Sequence, residues 1–413
     1  MNRKKHQHDY GKWALAILVA FLLVIVALVM SYWSAIPIGD TRLYYHYANL
    51  IWGGAMPYGD VKVEYPPGVL PFILLAKIVG RTFNQYLVGF LILSVGAVSI
   101  VLWDQFRRGG KKALALSVIL IAPVLAYIFF LLDVFAATAL YGSILLVFKS
   151  KRIKLAAVLF AISVLVKGYP IVCLPALIIA IQPSRRKIFS FTFVSAIIAG
   201  ILPFLVIAPK GMSYAVNYHL SRPIQAESVP AAVGHIIHIM GVDVGINHAN
   251  QTWALSFPNS LLVGLVFGLM GLGAFIGVTF LLMKSKKPIK LATSCLVLLL
   301  IYTVSFKVGS PQFFVPVIFT ALLSMNELSK KNQGLLAIRL FVLGLVIFAI
   351  LSFGLVGLFN NQWYGGFLII IKSILLIELL IWAFCRLDLI NKKDFIKKPK
   401  NSATKFTSKL SIN

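Results

Sequence analysis

Three of the chain's 12 acidic residues fall within 25 positions: Asp40 in Pro37-Ile38-Gly39-Asp40-Thr41-Arg42, Asp60 in Met56-Pro57-Tyr58-Gly59-Asp60, and Glu64 in Glu64-Tyr65-Pro66-Pro67-Gly68. Aromatic residues and turn formers surround them. A carboxylate kept near water can take a proton from an attacking group, and several carboxylates together can hold a divalent cation. Asp40 is the candidate for the first role. The second would join Asp60 and Glu64 to it, but Lys62 and Pro66 make that stretch read as a turn. No cofactor is assigned, and a divalent cation stays an alternative.

Such a loop needs a scaffold, and composition says which kind. The 413 residues are 60% hydrophobic and 12% charged, against roughly 25% charged in a soluble domain. A spanning helix takes about 20 mostly apolar residues, and short charged loops divide the apolar runs into about twelve such spans. Their centres are Phe21, Ile92, Pro123, Leu140, Ile162, Leu174, Ile198, Phe267, Leu298, Val317, Leu345 and Leu375. The expected fold class is all-α: a polytopic membrane helix bundle, with residues 1–391 as a single transmembrane domain.

A net charge of +27 would suit nucleic acid, but its distribution points to membrane lipid. With a cytoplasmic N-terminus, 30 of the 39 Lys and Arg fall on inner loops and 9 at the outer mouth or beyond it, the positive-inside pattern. The inner clusters are Arg3 to Lys12, Arg107 to Lys112, Lys149 to Lys154, Arg185 to Lys187, Lys284 to Lys290, Lys330 to Arg339, and the tail from Arg386. Anionic lipid retains such loops during insertion, so nucleic acid is not an expected partner. Residues 392–413 read as a basic cytoplasmic tail, which makes this a multi-pass cell-membrane protein with both termini inside. The first span, Trp13 to Tyr32, is too long for a cleaved signal and reads as a signal anchor. Cys173, Cys295 and Cys385 show no pairing pattern.

Alternation leaves two long outer loops, 33–86 and 209–258, and long loops on one side of a rigid scaffold are where sites collect. In the first, Leu43, Tyr44, Tyr47, Leu50 and Ile51 follow Asp40 at helical spacing, which predicts a short interfacial helix ended by Gly53-Gly54. Pro66-Pro67 opens a second short apolar stretch, Val69 to Val79, read as interfacial or re-entrant. The first six spans are not repeated in the last six. Related halves and a midplane site would mark the alternative, a twelve-span transporter or lipid-linked sugar flippase.

Four blocks resemble the C-type membrane glycosyltransferases (GT-C), most closely the polyprenyl-phosphate-mannose-dependent mannosyltransferases of bacteria and glycosylphosphatidylinositol mannosyltransferase I. The first block is Asp40, Gly53-Gly54-Ala55-Met56-Pro57-Tyr58 and Glu64-Tyr65-Pro66-Pro67-Gly68. The second is Lys167-Gly168-Tyr169-Pro170. The third is Tyr218-His219 with Arg222, Gln225, Glu227 and Ser228. The fourth, and most specific, is Phe306-Lys307-Val308-Gly309-Ser310-Pro311-Gln312-Phe313-Phe314, similar to a Lys-Val-x-Ser-Pro-Gln-Tyr signature. Phe313 departs from the family's Tyr, and Leu132-Asp133-Val134-Phe135 stands where a Gly-Gln-x-Asn-like turn is usual.

The resemblance implies transfer of a hexose, mannose above all, from a polyprenyl-phosphate sugar to a hydroxyl of a glycan or glycolipid acceptor on the outer face, with inversion. Asp40 is then the general base, although its place before a helix start also fits an N-cap. The leaving phosphate needs cations fixed beside it, and Lys307, Arg222 and Lys167 are the candidates, with Gln312, Glu227, Glu64 and His219 as further donor-binding residues. Lys167 and Lys307 can equally snorkel to headgroups. Tyr and Trp at span ends form the ordinary aromatic belt, and His235 and His238 read as a structural pair. Asp133 is expected to face the outer cavity and hold Lys167 or Lys307. Glu378, near Lys372, is expected to make a structural helix contact.

Overall fold

Backbone in hydrocarbon must satisfy its own hydrogen bonds, and the apolar runs accordingly form helices almost throughout. The computed structural model describes residues 13, 15, 17–27, 38–148, 152–249, 252–359 and 362–389. The Arg3 to Lys12 cluster, Lys149 and Lys151, and the 392–413 tail lie outside them.

Each of the twelve expected centres falls in a helix. The first is α1 (Ile17–Ala27), followed by α2 (Ile38–Trp52), α3 (Leu70–Lys77) and α4 (Phe83–Ile121), which continues through a 3-10 turn into α5 (Leu125–Phe130). α4 is two spans. At Gly110 the backbone takes φ 64° and ψ −155°, a conformation open to glycine, and the chain folds back so that Ser94 Oγ lies 3.4 Å from the Phe129 carbonyl. Arg107, Arg108, Lys111 and Lys112 flank that reversal.

Next come α6 (Asp133–Phe148), α7 (Ile153–Val166), a 3-10 turn leading into α8 (Leu174–Ala180), and α9 (Pro183–Ile207). The second long loop holds α10 (Pro209–Ser221) and α11 (Ala231–Ile239). The bundle ends with α12 (Ser260–Lys284), α13 (Leu291–Ser305), α14 (Phe314–Ser324), α15 (Lys330–Ala349), α16 (Leu355–Phe359) and α17 (Trp363–Cys385). α13 and α14 are buried along nearly their whole length, whereas α9 and α12 expose leucine, isoleucine and valine on most sides. That division suits a core pair and two lipid-facing helices.

The bundle is all-α as expected, with one small sheet added in the second loop. β1 (Gly245–Ala249) and β2 (Thr252–Ser256) pair antiparallel, and the segment before α11 joins them: Ala226 N–H donates to the Trp253 carbonyl (2.8 Å) and Leu255 N–H to that of Ile224 (2.8 Å). This small sheet fixes residues 224–226.

The basic end of the bundle is pinned by ion pairs and caps. Lys290 meets Asp388 at 2.6 Å and Arg108 meets Asp104 at 2.7 Å. Glu327 accepts from the N–H groups of Ala292 (3.0 Å) and Thr293 (2.8 Å) at the start of α13, where helix donors lack partners. Glu327→Ala is expected to lower stability by about 1 kcal/mol, read as an earlier thermal unfolding midpoint in detergent. Glu378 makes the expected structural helix contact, with Arg339 of α15 at 2.8 Å. The two histidines bond separate backbone carbonyls, His235 that of Ala226 and His238 that of Val242.

At the opposite end, α2 buries Tyr44, Tyr47 and Ala48 in the protein and leaves Leu50 and Trp52 exposed. α3 packs along α4. Ahead of it, Gly68 sits so close to the end of α7 that an added Cβ would lie 2.6 Å from the Leu165 backbone. That close approach locks the Glu64–Pro67 segment beside Lys167.

Candidate functional site

A cavity of about 710 Å³ opens at this rim, between the first long loop, the Lys167-Gly168-Tyr169 turn, the 218–227 segment and the loop after α13. The volume lies inside the 300–1,000 Å³ range of small-molecule sites. Asp40, Glu64, Lys167, His219, Arg222, Glu227 and Gln312 all line it. Seven of the eight expected site residues thus converge from four separate parts of the chain.

Lys307 does not. Its ammonium donates to the Leu220 carbonyl at 2.8 Å, and it is absent from the cavity lining, although its neighbours Phe306 and Val308 face inward. The chain turns at this loop, so adjacent side chains point to different sides. Of the three expected phosphate-binding cations, Lys307 is the one that does not line the cavity.

Asp40 sits in the first turn of α2, because the helix starts at Ile38. It is therefore inside the helix and not its N-cap, and the positive end of the helix dipole favours its negative charge. The carboxyl is only half-buried, with its open side on the cavity, and protein encloses the rest. Its pKa is pushed up to about 6, first by burial, which Lys167 opposes, then by the nearby charges of Glu64 and Asp133, with Arg222 opposing last. A carboxylate with that value is ionised at neutral pH and still basic enough to take a proton.

The cations differ in how free they are. Lys167, just past the end of α7, lies 3.2 Å from Asp133 Oδ2 and 4.6 Å from the centre of the Tyr65 ring. Tyr169 donates to Asp133 Oδ1 at 3.1 Å. Asp133 thus holds Lys167, one of its two expected partners, but it is fully buried and does not line the cavity it was expected to face; much of the lysine's charge is compensated. Arg222 has no ion pair among the described residues. Its guanidinium lies 5.2 Å from the Tyr218 ring centre, and its Nε is buried without a hydrogen-bond partner.

His219 bonds the Glu64 carbonyl at 2.9 Å. Burial, with Arg222 nearby, lowers its pKa to about 4, so it enters neutral-pH chemistry uncharged. Tyr218 hydrogen-bonds the Glu64 carboxylate, whose Oε2 is buried with no partner. Asp60 is exposed and spent in its turn, accepting from Met56 N–H at 2.8 Å, so it does not join Asp40 and Glu64. Among the described residues no group of three or more His, Cys, Asp or Glu is gathered as a metal set.

Tyr65, Tyr127, Tyr169, Tyr218, Trp253 and Tyr302 line the cavity, while Tyr44, Tyr47 and Tyr58 are packed in the core. Part of the lining is apolar, supplied by Ile171, Val172, Phe306, Leu351 and Leu355. The site therefore offers a basic carboxylate, a free guanidinium, a polar wall and apolar side chains to one occupant.

No family model and no curated protein sequence matches the chain. Among solved structures, the crystal structure of ArnT from Cupriavidus metallidurans bound to undecaprenyl phosphate is similar over 91% of this chain and 77% of that one, at 12% sequence identity and a TM-score of 0.48. A likeness at that level assigns neither substrate nor residue roles.

Proposed function

We propose that the protein is a GT-C-type membrane glycosyltransferase that moves a hexose from a polyprenyl-phosphate sugar to an acceptor hydroxyl, with inversion and with Asp40 as general base. The observation that carries this reading is the meeting of Asp40 with Arg222 in one cavity whose lining is partly apolar, at the end of the bundle away from the basic clusters. Asp40 takes the proton of the attacking hydroxyl. Arg222 stabilises the charge that grows on the leaving phosphate, and the apolar part of the lining accepts the first carbons of the carrier lipid. The positive-inside pattern supports an extracytoplasmic site, cytoplasmic termini, and a single transmembrane unit over 1–391 followed by a cytoplasmic tail. Mannose is the sugar we expect, and the acceptor is a glycan or glycolipid. A transporter would instead need a path through the midplane.

The test is donor consumption by the purified protein with a panel of polyprenyl-phosphate hexoses. Turnover of none of them, in the presence of varied glycan and glycolipid acceptors, would sink the reading. A second expected outcome concerns pH. Asp40 must be ionised to act, so its raised pKa places the acid limb of kcat/KM near pH 6, with activity present above that value and falling about tenfold per pH unit below it. A flat profile from pH 7 to pH 5 contradicts this assignment.

A further inference from the structure

Lys372 is a buried charge that this reading leaves unused. It lies nine residues into α17 and is 2% exposed, about 14 Å along the helix axis from its start. An ionisable residue at such depth marks a functional site by default, with its partner to be named. The partner is Glu227. The Lys372 ammonium donates to the Glu227 main-chain oxygen, and the two charges attract.

Glu227 is the centre of the cavity's polar wall. Its carboxylate accepts from Gln225 Nε2 at 3.1 Å, and both residues line the cavity together with Ser310 and Gln312. The neighbouring backbone is fixed from the sides, Gln225 N–H on the Lys307 carbonyl (3.0 Å) and Ala226 N–H on that of Trp253 (2.8 Å). Lys372 fixes it from beneath.

We propose that Lys372 is a positioning residue: it holds Glu227 so that the wall of Gln225, Glu227, Ser310 and Gln312 reads the hydroxyl pattern of the transferred sugar. This inference rests on the sugar-transfer reading. Carboxylate and amide groups arranged this way suit vicinal hydroxyls, and a site that hydrogen-bonds a substrate hydroxyl discriminates strongly against an analogue that lacks or misplaces it. Lys372 touches no substrate and acts through Glu227.

Two measurements test it. Hydrogen exchange without donor compares wild type with Lys372→Met, or with Lys372→Gln, which keeps a shorter donor, if the Met variant fails to insert. The amides of 222–228 are expected to exchange roughly 10-fold or more faster, the scale of one charged hydrogen bond lost, while those around Asp104 stay unchanged. Equal protection overturns the positioning role.

The second measurement is the ratio of kcat/KM for two polyprenyl-phosphate hexoses that differ at one hydroxyl. Glu227→Gln and Lys372→Met should both compress it, and the double variant should go no further than the single ones, since the two act as one unit. Unchanged ratios with uniformly lower activity mean a merely structural staple and overturn the recognition claim. A wild type that consumes no donor removes the function reading and the recognition claim with it, and the exchange data then decide the positioning role alone.

Discussion

Asp40→Asn is expected to lower turnover by roughly 10²- to 10⁴-fold, the usual worth of a positioned base, while donor binding is kept or tightened. The amide matches the carboxyl in size, so the cavity and the first turn of α2 keep their shape. What it loses is the ability to take a proton. It also removes a negative charge that attracts Arg222, and a guanidinium relieved of that competition binds a phosphate at least as well. The signature is thus a fall in kcat with a flat or lower KM for the donor, the pattern of an interaction made in the transition state.

The other nearby carboxylates are poor substitutes. Asp133 is buried behind the cavity and held by Lys167 and Tyr169, and Glu227 is held by Gln225. Burial raises the pKa of Glu227 as well, against the pull of Lys372, but its place in the hydrogen-bonded wall leaves Asp40 the better exposed acceptor. Glu64 is engaged by the Tyr218 hydroxyl. Wild-type turnover by Asp40→Asn would move the base to Glu64, the remaining carboxylate with an unpartnered oxygen.

How legible this was in the sequence differs by element. Apolar length and flanking charge place a helical segment at every expected centre, because hydrocarbon leaves the backbone few alternatives to helix, although only five of the described helices are long and apolar enough to cross a membrane. The start of α2 near Asp40 and its end before Gly53-Gly54 follow from helical spacing and glycine. The hairpin of β1 and β2 escapes because its two strands are joined through Asn250 and Gln251, without the Asn-Gly or Asp-Gly pair that marks a tight hairpin. Arg222, Glu227 and Gln312 are visible through the blocks that resemble the C-type membrane glycosyltransferases. Lys372 is hidden, since a single lysine in an apolar run is indistinguishable from a snorkelling one until the loop above it is in place. Lys307 fails for a related reason: a motif fixes position along the chain, and the direction of a side chain on a turning loop depends on contacts such as that with the Leu220 carbonyl.

Arg222→Met is expected to lower kcat/KM by about 10²- to 10³-fold, the range found when a group stabilising developing charge is removed. The argument is one of elimination among the cations near the cavity. The charge of Lys167 is compensated by Asp133, Lys372 is engaged beneath Glu227, His219 is neutral above pH 4 or so, and Lys307 points to Leu220. Arg222 alone among these cations has a buried donor without a partner, Nε, and a planar fork suited to phosphate oxygens. Arg222→Met should also weaken binding of the sugar-free polyprenyl phosphate, since the same contact holds the leaving group after transfer. Lys307→Met should leave both quantities near wild type. The reverse result, a silent Arg222→Met and an inactive Lys307→Met, would put the phosphate on the far side of the 306–310 loop, outside the cavity that Asp40 faces.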